Sequence, residues 1–79
     1  MNDRLAKLTA LLDADPTDAF VLYGLAQEHA KLGTPEHHTE AIGFYDRCLA
    51  ADPTYFYAFY HKAQSQIAMD QTDQPAQTL

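Results

Sequence analysis

Apolar residues recur every three or four positions along most of this chain, the spacing that places them on one face of an α-helix. Leu5, Leu8, Leu11 and Leu12 form the first stripe and predict a short helix over about residues 3–14, with Arg4 and Lys7 on its wet side and Asn2 or Asp3 as its cap. The pattern breaks at Asp15-Pro16, since a residue before proline is pushed out of the α region. Thr17 or Asp18 then caps a second helix, about 18–32, whose inner stripe is Leu22, Leu25, Ala26 and His29, with Phe20, Tyr23 and Gln27 on another flank. Gly33 supplies a left-handed stop and Pro35 blocks continuation. A third helix, about 37–51, opens near Glu36 or Thr39 and turns Ala41, Ile42, Tyr45, Cys48 and Leu49 inward until Asp52-Pro53. Thr54 is available to cap a fourth, about 55–69, which carries Tyr55, Phe56, Tyr57, Phe59 and Tyr60, then Ala63 and Ile67. The polar run over 70–79 contains Pro75, has little to bury, and is expected to be a loose tail.

The punctuation repeats. Asp15-Pro16 and Asp52-Pro53 stand 37 residues apart, within the range where self-similarity at a fixed period means stacked helical units. One helix-turn-helix of that length cannot bury its apolar face alone. The expected fold class is therefore all-α: four antiparallel helices built as helix-turn-helix repeats, forming a single domain over 1–69.

On these residues the chain resembles a tetratricopeptide repeat, a unit of about 34 residues in which antiparallel helices A and B stack into an α-α superhelix. Leu22, Leu25, Ala26 and Gly33 match the family's A-helix large residue, its Leu-Gly pair and its turn glycine. Ala41, Tyr45, Cys48 and Pro53 match the B-helix alanine, aromatic, small residue and closing proline. About three extra residues between Thr34 and Thr39 lengthen the A-to-B turn in this alignment. Arg4 to Pro16 resembles a B helix without its A partner, and Tyr55 to Met69 the A helix of a further repeat, with Phe59 and Ala63 in register. Lys62 departs from the pattern where the family prefers leucine, and His29 and Gln66 where it prefers an aromatic.

The resemblance implies a non-enzymatic protein-protein interaction scaffold whose concave face is lined by A helices. The matching positions are Phe20, Tyr23, Gly24, Gln27 and Lys31, then Tyr57, Tyr60, His61, Gln64 and Ala68. From these, Tyr23, Gln27, Lys31, Tyr57, Tyr60, His61 and Gln64 are the expected partner-binding residues: tyrosine gives contact area at low entropy cost and glutamine gives hydrogen bonds. The bland alternative is that Phe20, Tyr57 and Tyr23 merely pack between repeats. The set is unlike the co-chaperone members that clamp a terminal carboxylate with several Lys, Arg and Asn. The different-class alternative is a structural protomer that self-associates through the stripe Phe59, Ala63 and Ile67, because the B helix that should cover helix four is absent. That absence implies a homodimer, or a fragment whose missing helix begins near Pro75-Ala76.

Other chemistry finds little support in the sequence. Glu36, His37, His38 and Glu40 cluster at the turn, but adjacent histidines diverge on a helix and no His pair lies three or four apart, so no metal site is expected. Cys48 has no CxxC partner, and its small-residue slot predicts a buried, inert thiol. No phosphate loop, nucleophile motif or paired-carboxylate signature occurs, and no cofactor is expected. Eleven acidic against five basic residues, a net charge of −6, argue against nucleic acid or anionic membranes as partners and favour a neutral or basic protein surface. Without an apolar run of membrane length or a signal-peptide pattern, the expected location is cytoplasmic.

Overall fold

The punctuation residues act as local hydrogen-bonding devices, and the helices lie between them. The computed structural model describes residues 3–73, with α1 at Asp3–Ala14, α2 at Ala19–Leu32, α3 at Pro35–Ala51 and α4 at Phe56–Asp73. Among the described residues there is no strand, and no helix is long and apolar enough to cross a membrane.

After α1 the Asp15 carboxylate accepts from the backbone N–H and the hydroxyl of Thr17; after α3 the Asp52 carboxylate accepts from the same two groups of Thr54. The two Asp-Pro-Thr segments are thus the same Asx turn, which fixes the chain's exit from a helix without a glycine. Asp18, rather than Thr17, caps α2, its carboxylate accepting from the N–H groups of Phe20 and Val21. Thr54 does not cap α4: the helix begins at Phe56, which leaves Tyr55 at the cap position, and the Thr54 hydroxyl donates to Asp52 instead. Gly33 ends α2 at φ 78°, and Thr34 caps α3 by accepting from His37 N–H.

Two boundaries differ from expectation. The extra residues after Thr34 do not lengthen the turn. Proline is pre-set for the first helical position, so Pro35 opens α3 and the residues that follow add a turn to it. Helix α4 also runs past Met69 to Asp73; the rest of the expected loose tail lies outside the described residues.

Each helix packs on the next, and α2 also touches α4, so α3 sits against both. The main core joins Leu22 and Ala26 of α2, Ala41, Tyr45 and Cys48 of α3, and Ala58 of α4. A smaller cluster, Leu8 with Val21 and Leu25, seats α1 on α2. Gly24 allows that approach, since a Cβ there would stand 3.3 Å from Leu8.

Polar pairs tie the same seams. Glu28, buried on α2, receives Arg4 Nε of α1 at 3.0 Å and Lys31 Nζ at 3.1 Å. Lys62 pairs with Asp46 across the α3–α4 seam. The His29 ring stacks on Phe44, with centroids 5.6 Å apart.

The buried side of α4 is narrower than its aromatic content implies. Among the residues of this helix whose burial is described, 56–70, Ala58 and Ser65, seven residues apart, are the buried ones. Phe59, Ala63 and Ile67 face outward, in line with Phe56, which is 74% exposed.

A candidate binding groove between α2, α3 and α4

Tyr23 and Gln27 lie one turn apart on α2, and Tyr60 and Gln64 repeat the pair 37 residues later on α4. Residues four apart on a helix are neighbours, and in both pairs the glutamine amide donates to the tyrosine hydroxyl, at 2.9 Å in the second. Each bond fixes two flexible groups along the helix. Each glutamine keeps its carbonyl oxygen as an acceptor.

Between the two pairs lies a groove of about 380 Å³. Gln27 and Lys31 line it from α2, His38 and Tyr45 from α3, and His61 and Gln64 from α4. An aromatic cluster holds its shape. Tyr23 meets Tyr45 at 6.1 Å, Tyr55 at 5.0 Å and His61 at 5.8 Å, while the His61 ring lies nearly parallel to Tyr45 at 6.4 Å and takes Tyr60 edge-on at 5.1 Å. His38 Nδ1 lies 3.1 Å from Ser65 Oγ and ties α3 to α4 at one end of the groove.

The floor holds an anomaly. Tyr45 is fully buried, yet its hydroxyl has no hydrogen-bond partner among the described residues. Burial, reinforced by the neighbouring Tyr23 and Cys48, pushes its pKa up to about 12. The phenol therefore stays protonated at ordinary pH and remains a donor without an acceptor.

The expected binding residues separate into three groups. Gln27, Lys31, His61 and Gln64 line the groove, whereas Tyr23 and Tyr60 brace it by holding the glutamines. Tyr57 stands apart, 70% exposed, and Phe20, its counterpart one period earlier, is similarly exposed at 67%. Neither packs between helices; Tyr23 does. Sequence reasoning placed Tyr45 in the core and His38 in a solvated turn, and gave Ser65 no role. The readable signal for Tyr45 was that a buried tyrosine hydroxyl has to find a partner.

The remaining candidate chemistry is sparse. The short turn brings His29 and His37 together, with Nδ1 atoms 2.9 Å apart and rings stacked, a pairing that helical spacing could not reveal. Burial foremost, then the charge of His37, lowers the His29 pKa, against a smaller opposing effect of Glu40. Among the described residues no third ligand completes a metal site with them. Cys48 is fully buried, and burial raises its pKa, with Asp52 adding to the effect, so its thiol is held in the unreactive form.

No family model matches this chain, and neither the curated proteins nor the solved structures contain a match to it.

Proposed function

We propose that this chain is a non-enzymatic helical scaffold of tetratricopeptide type that binds a protein or peptide segment along its tyrosine–glutamine face. The observation that carries this reading is the recurrence of one Tyr–Gln pair, with one hydrogen-bonding pattern, on both helices flanking the groove. Core packing does not require such a repeat, because both glutamines line the groove with polar atoms. An extended segment presents N–H and C=O groups at a regular spacing, and fixed amides and hydroxyls along two walls suit it. Nucleic acid and membranes are poor fits for a chain of net charge −6, and its single thiol suits a reducing cytoplasm.

A second reading rests on a separate observation. Phe56, Phe59 and Ile67 are 74%, 54% and 56% exposed on the outer face of α4, where a second copy would cover them. Affinity capture on the immobilised chain, with Gln27→Ala and Gln64→Ala compared to Phe59→Ala, tests both readings. Heterotypic binding loses its captured partner with the first two variants, at unchanged sedimenting mass. Self-association instead shows a mass above the monomer that falls with Phe59→Ala.

A further inference from the structure

We infer that the floor of the groove receives a carboxylate, the side chain of an aspartate or glutamate in the bound segment. This rests on the groove being the binding face, and narrows what binds there.

The Tyr45 hydroxyl is the first ground. A buried donor without an acceptor is unfavourable, so groups of this kind are nearly always paired in folded proteins. This one lies beneath an open groove and has no described acceptor to turn to. A ligand oxygen placed over it gives the bond the fold leaves unmade.

Charge is the second. The chain has 11 acidic residues against 5 basic ones, yet no acidic residue lines this groove, whereas Lys31, His38 and His61 all do. The nearest carboxylate on α2, Glu28, lines the adjoining hollow beside Phe20 and is bound to Arg4 and Lys31. His61 stacks on Tyr45 and makes no hydrogen bond to a described residue, so it brings a second donor to the same spot. The whole-chain charge points to neutral or basic partners, but the groove itself is lined by hydrogen-bond donors and by no carboxylate.

The donor type sets the anion. Phosphate groups are held by forked guanidinium groups or by several charges at once, and neither Arg4 nor Arg47 lines the groove. One phenol, imidazole donors and a lysine already engaged by Glu28 suit a single carboxylate, two oxygens and one charge. The carbonyl oxygens of Gln27 and Gln64 then accept from backbone N–H groups on either side of the acidic residue.

The test is selection from a random dodecapeptide library displayed on phage against the intact chain, followed by binding measurements on the enriched peptides. An invariant Asp or Glu is expected. Replacing it with Asn or Gln should weaken binding about tenfold or more, as for loss of a hydrogen bond to a charged group. Tyr45→Phe should weaken the acidic peptide about tenfold and leave the amide peptide unchanged, while its own thermal midpoint holds or rises because an unpaired hydroxyl is gone. His61→Gln, at a partly exposed position, gives the same comparison if Tyr45→Phe does not fold. Enriched peptides without a shared acidic residue, or a preference for the acidic over the amide peptide that survives undiminished in Tyr45→Phe, would overturn the inference and leave the scaffold reading intact. A library from which nothing is enriched would overturn both.

Discussion

Replacing Gly33 isolates the turn on which the α2–α3 hairpin depends. Gly33 sits at φ 78°, the only positive φ among the described residues. A Cβ built there would meet nothing closer than Lys31 O at 4.0 Å. Any loss is therefore a backbone effect and not a clash, which fixes both its size and its order among substitutions. Left-handed backbone costs an L-residue about 1–2 kcal/mol, least for Asn and most for a β-branched residue. Gly33→Asn should be nearly neutral, Gly33→Ala should lose about 1 kcal/mol, and Gly33→Val should lose the most, up to about 2 kcal/mol. A domain of this size is stable by about 4–12 kcal/mol, so all three fold. At about 4–8 °C per kcal/mol, the losses separate cleanly in thermal melts followed by helical circular dichroism. Equal melting of wild type and Gly33→Val would show that the turn does not need its left-handed residue. Equal loss in Asn and Val would show that space, not backbone, sets the cost.

Three smaller predictions use other positions. Gly43 lies in the middle of α3, and a methyl group added there meets nothing within 4 Å, so Gly43→Ala should raise stability by about 1 kcal/mol in urea unfolding. His29 has a folded pKa below its ordinary 6.5, so its contribution is fully present above that pH and is lost as pH falls through the folded value. The chain should therefore lose stability on acidification below about 6.5, and His29→Gln should flatten that slope; parallel slopes in wild type and variant would count against the assignment. Cys48 should react with a thiol reagent only at the rate of unfolding, and rapid labelling of the native chain would contradict its burial.

What could be read from sequence was whatever acts locally. Proline and glycine chemistry marked the breaks at Asp15-Pro16, Gly33 and Asp52-Pro53, because these residues constrain their own backbone whatever surrounds them. The stripe Leu22, Leu25, Ala26 and the set Ala41, Tyr45, Cys48 were legible because each helix buries one face. Helix α4 was harder. With aromatics on every side, its periodicity did not reveal that small residues, Ala58 and Ser65, form the buried face. The long-range pairs were not legible either: His29 with His37 depends on the turn being two residues long, and His38 with Ser65 spans 27 positions. The groove residues Gln27, Lys31, His61 and Gln64 were named only through the resemblance to a tetratricopeptide repeat, and their common groove and its unpartnered Tyr45 floor exist only once α3 lies between α2 and α4.

The most direct measurement is photo-crosslinking in cells that express the chain with a benzophenone amino acid at one of three exposed positions: 57 beside the proposed binding face, 59 on the outer face of α4, and 13 on α1 as a control. The account predicts an adduct from position 57, of a mass other than twice that of the chain, lost when Gln64 is replaced with alanine, and none from position 13. Adducts from position 59 alone, at twice the chain mass, would contradict it and assign the protein to self-association.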